Sequence, residues 1–327
     1  MVTSPRFDAT RHRTAPPYPG VERLTVVGRL PVIAVVGATA AGKSDLAVDL
    51  ALRLGGEVIN TDSMQLYQGM DVGTAKLTVS ERRGVPHHLL DIWPVTRTAS
   101  VAEYQGLVRP LIDRLRSEGR VPILAGGSGL YVRAALDDLE FPGTDPAIRD
   151  RLEKELAETG PAPLYERLSR EDPVAAAQIL ASNGRRIVRA LEVIELSGRP
   201  FSATMPSYDS VYDSVQIGVE VPRPVLDERI ALRVDRMWNA GLVDEVRRLA
   251  DLGLAEGRTA SRALGYAQVL RFLGGEWTEE QAKDETIRAT RRFARRQESW
   301  FRRDPRVVWL PFDAPDLTDR ALALITP

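Results

Sequence analysis

From Pro31 to Val36 the chain reads Pro-Val-Ile-Ala-Val-Val without a polar interruption and stops at Gly37. A continuous β-branched run of this kind predicts a strand covered on both faces, as in a parallel sheet. Past Ser44 the apolar positions change period: Leu46, Leu50 and Leu54, with Ala47 and Ala51, recur at helical spacing, and Gly55-Gly56 supplies a stop. Val58 to Asp62 then reads as a second strand, completing a βαβ unit. Further strands are predicted at His88–Ile92, Pro122–Ala125, Val215–Val221 and Val307–Leu310. Helices are predicted at Ser100–Glu118, Arg149–Glu158, Arg185–Ser197, Leu226–Trp238, Leu242–Leu252 and Asp284–Trp300. This alternation predicts a doubly wound parallel α/β sheet.

One segment departs from the alternation. Residues 141–213 offer helical stretches and turns but no good strand, so they read as a helical insertion. The core is then expected from 30–140 and 214–327, and residues 1–29, rich in proline and arginine, as a mostly disordered leader. Charge sharpens the division. Residues 137–172 carry 11 acids and 5 bases, whereas residues 285–303 carry seven arginines and two glutamates. Such a split places a basic partner surface away from the acidic insertion.

The 327 residues have no cysteine, three histidines (His12, His87 and His88) and a formal net charge of −1. Disulfides, thiolate chemistry and multi-histidine metal sites are excluded, and bulk charge does not favour coating a nucleic acid. His87-His88 reads as strand-entry packing. The longest charge-free apolar stretches, Leu30–Gly42 and Val121–Val132, span 13 and 12 residues, well short of the ~20 a membrane helix needs. The leader lacks a signal-peptide core, and a cytoplasmic location is the expectation.

Gly37-Ala-Thr39-Ala40-Ala41-Gly42-Lys43-Ser44 is a complete G-x-x-x-x-G-K-[ST] loop between a strand and a helix. Such a loop turns successive N–H groups onto phosphate oxygens at a helix N-terminus, with the lysine as a point charge and the serine hydroxyl as a Mg²⁺ ligand. It specifies a diphosphate or longer, not a nucleotide. Asp62 falls at the carboxyl edge where open α/β sheets bind ligands. It reads equally as a general base or metal ligand and as the cap of the turn begun by Ser63-Met64-Gln65. Gly126-Gly-Ser128-Gly129 follows another strand to the same edge, making Ser128 a candidate donor.

GATAAGKS (37–44), NTDSMQLYQGMDVGTAK (60–76), HHLLDI (87–92), SVAEY (100–104), GGSGLY (126–131), RRIVRALEV (185–193) and ATRRFARRQESWFR (289–302) together resemble the tRNA dimethylallyltransferases. The resemblance covers about residues 32–310. It implies that the loop holds dimethylallyl diphosphate and that the prenyl group passes to the N6 amine of adenosine 37 beside the anticodon. Carried over by motif, Asp62 is the general base, Gly37 and Thr39–Ser44 bind the diphosphate, Ser44 lies near Mg²⁺, and Arg233 and Ser128 act on the reacting groups. Asp62, Ser63, Met64 and Gln65, the stretch with Arg185, Arg186 and Arg189, and single positions at Ser128 and Arg149 correspond to tRNA contacts. The partner is then the anticodon stem-loop, and a monomer is expected. Ala38 and Ala41 replace the family's usual Pro and Ser, Ser128 its Thr, and Arg185 its Gln.

Along the arginine-rich helix, Thr290, Phe293, Ala294, Gln297, Trp300 and Phe301 fall on one face, and Arg288, Arg292, Arg295 and Arg296 on another. The second face is a solvated surface or, given the resemblance, a phosphate-contacting one through Arg292 and Arg295. Three rival functions fit part of the pattern: a small-molecule P-loop kinase, an adenylate isopentenyltransferase, and a non-catalytic nucleotide switch that binds RNA.

Overall fold

A computed structural model describes residues 31–204 and 208–325; the leader expected at 1–29 lies outside the described residues. Six parallel strands form the sheet: β1 (Val32–Val36), β2 (Glu57–Asn60), β3 (His87–His88), β4 (Pro122–Ala125), β5 (Ser214–Glu220) and β6 (Val307–Pro311), in the order β3-β2-β4-β1-β5-β6. The strand carrying the loop is thus central, with Ile33 in register with Ile123 on one side and Val215 on the other. All five residues of β1 are fully buried, as an uninterrupted apolar run requires between two layers of helices.

Helices α1 (Lys43–Leu54), α2 (Val101–Ser117) and α3 (Gly129–Leu136) cover the first half of the sheet. Leu46, Leu50 and Leu54 of α1 pack with Ile33, Val35 and Ile123 on one face. Tyr104, Val108 and Ile112 of α2 pack with Val32, Ala34 and Leu124 on the other. Between β4 and β5 the chain makes α4 (Pro146–Thr159), α5 (Pro161–Glu171), α6 (Pro173–Gln178) and α7 (Gly184–Ser197), which share a separate core of Leu152, Leu164, Leu168, Ile187 and Leu191. Buried Asp137 stands where the chain leaves the sheet for these helices. It accepts Arg306 Nη1 at 2.6 Å and Arg133 Nε at 2.6 Å, so the exit is tied to the loop before β6.

After β5 come α8 (Arg223–Asn239), α9 (Leu242–Asp251), α10 (Tyr266–Leu273) and α11 (Glu279–Phe301), and after β6 comes α12 (Leu317–Ile325). Thr278 opens α11 with a capping box, its hydroxyl accepting from Gln281 N–H while the Gln281 side chain accepts from Thr278 N–H. No helix among the described residues is long and apolar enough to cross a membrane.

Two strand readings need correction. The strand expected at 88–92 is only His87–His88. Leu89 and Asp91 then take positive φ, and Asp91 N–H and Ile92 N–H turn to the carbonyls of Gln65 and Leu66. The strand expected to reach Asp62 ends at Asn60, with Thr61 N–H still bonded to Ala125 O. Helices α3, α5, α6, α10 and α12 were not anticipated. Pro161 and Pro173 each sit in the first turn of a helix, where the missing N–H costs nothing.

Candidate active site at the carboxyl edge of the sheet

The loop from Gly37 to Ser44 leaves β1 at the carboxyl edge. Gly42 takes φ 103° in the left-handed region, a conformation a side chain would strain, and starts α1 without a side-chain cap. The first-turn amides of α1 are therefore left for a ligand, at the end of a helix that favours negative charge. Ala40 also adopts a left-handed φ of 64°. Its carbonyl accepts Arg229 Nε at 2.8 Å, a buttress from α8. Lys43 Nζ reaches back to Ala38 O at 2.7 Å. Enclosure and neighbouring Arg233 pull the Lys43 ammonium down to about 7, against the opposing pull of Asp62. Ser44 opens the helix beside it, half-buried.

Asp62 faces this loop. Asn60 sets its backbone: Asn60 Oδ1 accepts Asp62 N–H at 2.8 Å, and Asn60 Nδ2 donates to Asp62 O at 2.9 Å and Leu89 O at 3.0 Å. The Asp62 carboxylate accepts Met64 N–H at 2.9 Å and also the Gln65 N–H. The same carboxylate therefore caps the turn, as one sequence reading had it, and also looks into the cavity, where the other reading would need it. Burial raises its pKa, with the Met64 amide, Lys43, the Gln65 amide and Arg233 acting in the opposite direction. Ser128 lies alongside, its Oγ accepting Ser63 N–H at 3.3 Å.

Thr39 of the loop, Asp62 and Ser128 line one cavity of about 530 Å³. Its polar end has Thr39, Asp62, Ser128 and Arg233; Arg233 Nη1 donates to Thr39 Oγ1 at 3.3 Å. Arg233 is desolvated, and burial with Arg229 and Arg236 nearby lowers its pKa, yet a guanidinium remains cationic. On α8, Ile230, Arg233, Val234 and Met237 fall at i, i+3, i+4 and i+7, so one helix face presents a cation amid apolar side chains. Ala263, Leu264 and Phe293 extend the apolar wall. A charged head and an apolar tail would both be satisfied here.

Helix α11 closes the cavity with Thr290, Phe293, Gln297 and Trp300, the face read from sequence. Arg296, assigned from sequence to the opposite face, also lines the cavity, with its guanidinium 5.7 Å from the Phe293 ring centroid. A helix face more than 100° wide has room for a flanking residue whose long stem bends inward. Gln297 joins the two glycine-rich loops: its Oε1 accepts Thr39 N–H at 2.9 Å and its Nε2 donates to Gly127 O at 2.9 Å. A Cβ on Gly127 would lie 2.1 Å from that amide nitrogen, so the position has no room for a side chain. The role of Gln297 and the Arg229 buttress were missed in sequence, because each acts on a loop some two hundred residues away in the chain.

The remaining cations divide. Arg185 and Arg186 are exposed on the first turn of α7, and Arg295 is exposed on α11 without an ion pair among the described residues. Arg292 pairs with Glu285. Arg149 and Arg189, expected as contacts to a partner, both bind the buried carboxylate of Glu192, with Arg189 Nη1 to Glu192 Oε2 at 2.7 Å. They organise the inserted helices before anything else. Among the described residues no group of three or more His, Asp or Glu could hold a metal.

The IPP transferase family model matches residues 65–304. The chain is 72% identical over 299 residues to a tRNA dimethylallyltransferase of Thermobifida fusca, covering 90% of this chain and 94% of the relative. It is 72% identical over 288 residues to one of Streptomyces avermitilis, covering 88% and 92%. Among solved structures it is similar to a tRNA isopentenylpyrophosphate transferase of Bacillus halodurans (TM-score 0.67, 41% identity, 90% of this chain and 96% of that one). It is also similar to a eukaryotic dimethylallyltransferase acting on tRNA (TM-score 0.77, 25% identity, 90% and 77%). With the phosphate loop, the facing aspartate and the arginine-lined cavity joined on one sheet edge, these matches show that the chain belongs to the IPP transferase family.

Proposed function

We propose that the protein transfers the dimethylallyl group of dimethylallyl diphosphate to the N6 amine of adenosine 37 in the anticodon stem-loop of tRNA, releasing diphosphate. The observation that carries this reading is the meeting of Asp62 with Thr39 and the Arg233 cation in one cavity, beside apolar side chains such as Ile230, Val234, Met237 and Phe293. The allylic C1–O bond breaks towards a delocalised cation, so the barrier is mainly charge separation. The loop amides, Lys43 and Arg233 are aimed in advance at the oxygens that acquire that charge. As C1–N6 forms, the amine proton becomes acidic and passes to the Asp62 carboxylate. Its raised pKa makes Asp62 a stronger base than a free carboxylate. Ser128 orients the same edge.

With so few protein ligands, Mg²⁺ would be held by the Ser44 hydroxyl and the substrate's own oxygens, as this ion commonly is. When bound it neutralises part of the diphosphate charge. An adenine stacked in RNA cannot enter such a cavity, so the base is flipped out to reach Asp62. Exposed Arg185, Arg186 and Arg295 give phosphate contacts that position the stem-loop. The protein acts as a monomer in the cytoplasm.

The test is an acceptor panel: labelled dimethylallyl diphosphate and Mg²⁺ with an unmodified anticodon stem-loop, AMP or no acceptor. Label on RNA alone is expected. Label on AMP supports an adenylate isopentenyltransferase instead, and, in a parallel sample with ATP, ATP turnover without prenyl transfer supports a kinase.

A further inference from the structure

We propose that Glu245, on α9 and outside the cavity, is a positioning residue that sets the geometry of Asp62 through the loop at 71–74. Glu245 is 3% exposed, and no Lys or Arg among the described residues forms an ion pair with it. Four neutral donors surround its carboxylate instead. Oε2 accepts Asp71 N–H at 3.1 Å and Val72 N–H at 2.8 Å; Oε1 accepts Gly73 N–H at 3.2 Å and the Tyr266 hydroxyl. Burying a carboxylate without a counter-ion is costly, and three consecutive backbone amides curled on one anion fix the loop's course closely.

The loop also lies tight on its support. A Cβ on Gly73 would be 2.4 Å from the ring of fully buried Tyr266, so the backbone rests directly on that ring. Gly73 and Thr74 line the cavity, and so do Ala263 and Leu264, just before the helix that carries Tyr266. One carboxylate therefore registers two stretches of cavity wall that are far apart in sequence.

The chain of contacts continues to the base. Thr74 O accepts the Gln65 side-chain amide at 3.0 Å, and the Gln65 N–H donates to the Asp62 carboxylate. Glu245 is thus linked to Asp62 by three amides, one carbonyl and one glutamine. The diphosphate loop, held by Arg229 and Gln297, is not part of this chain.

The proposal rests on Asp62 as base, and the experiment separates the two. Single-turnover transfer and dimethylallyl diphosphate affinity are measured for Glu245→Gln, Gln65→Met and the double variant. Glu245→Gln is expected to slow transfer by about 10- to 100-fold, the usual scale for sub-ångström to 1 Å misplacement, with diphosphate affinity within about threefold of the parent. The double variant is expected to be no slower than the slower single one, because both break the same chain. A folded Glu245→Gln with parental rate, multiplicative losses in the double variant, or diphosphate affinity lost in step with rate each overturns the proposal. If Glu245→Gln does not fold, Tyr266→Phe keeps the ring under Gly73 and removes one donor. It is expected to slow transfer several-fold without multiplying the Gln65→Met loss, and multiplication overturns the proposal. Asp62→Ala judges the base alone: full transfer there removes Asp62's role, whereas a multiplicative cycle removes only that of Glu245.

Discussion

Replacing Gln297 with alanine cuts a side chain that bonds both glycine-rich loops. Gln297 is 5% exposed, and its loss leaves Thr39 N–H and Gly127 O without their partners at 2.9 Å each. A buried unsatisfied polar group costs roughly 1–3 kcal/mol, but both atoms adjoin the cavity of about 530 Å³, where water can replace the amide. The enlarged space is wet, so the dry-cavity penalty of a core truncation does not apply. Stability should fall by only about 1–2 kcal/mol, a Tm loss of several degrees for a chain of this size. Function should suffer more. Without Gln297 the diphosphate loop and the loop bearing Ser128 lose their mutual register, and misplacement on this scale costs transfer about 100-fold. Gln297→Glu provides the contrast: it keeps the acceptor for Thr39 but sets a carboxylate against Gly127 O and near the diphosphate, so affinity should fall further than with alanine. Thermal unfolding, calorimetric titration with dimethylallyl diphosphate and single-turnover transfer measure the three effects. Parental transfer in a Gln297→Ala protein that shows the expected small Tm loss would refute the reasoning.

Three further outcomes are expected. Because Lys43 titrates at about 7 and gains an anionic partner on binding, diphosphate binding should take up about half a proton at pH 7 and close to one at pH 8; titration in buffers of different ionisation enthalpy reads this directly, and zero uptake at pH 8 contradicts it. The Glu192 carboxylate is penalised by burial, but Arg149 and Arg189 outweigh this and hold its pKa below the usual value. Its stabilisation is therefore present above pH 4.5 and lost as pH falls through the lowered value, and Glu192→Gln should unfold the inserted helices more easily at pH 7, by about 3 kcal/mol, the low end for a broken buried pair because both arginines stay partly exposed, while flattening the acid limb of the Tm profile. Arg295→Ala should weaken stem-loop binding and lower the slope of log K against log salt by about one, and an unchanged slope returns that face of α11 to plain solvation.

Elements whose signal is local were legible in the sequence. Short uninterrupted β-branched runs such as Val32–Val36, bounded by turn residues, read as buried strands, and each of the six strands was anticipated in place though β2 and β3 were drawn too long. The phosphate loop, Asp62 and Ser128 were read because each follows a strand, and strand ends in this topology share one edge. Arg233 came instead from the resemblance, since nothing in its own helix distinguishes it from Arg229 or Arg236. What was missed depends on distance in the chain. Gln297 looks like one more polar residue at helical spacing, and Glu245 like an exposed acid in the first turn of α9, until the fold brings them to Thr39 and to the amides of 71–73. Arg149 and Arg189 carry an internal role that the sequence did not show. Their carboxylate, Glu192, is buried by a small core that amphipathic spacing in short helices does not announce.

Asp62, proposed to take the amine proton, is the decisive group. Its most direct test is single-turnover transfer from labelled dimethylallyl diphosphate to the anticodon stem-loop by Asp62→Asn, with diphosphate affinity measured on the same sample. A loss of about 10²- to 10⁴-fold in rate is expected, the range for a removed general base, with diphosphate binding retained. Transfer within tenfold of the parent would contradict it.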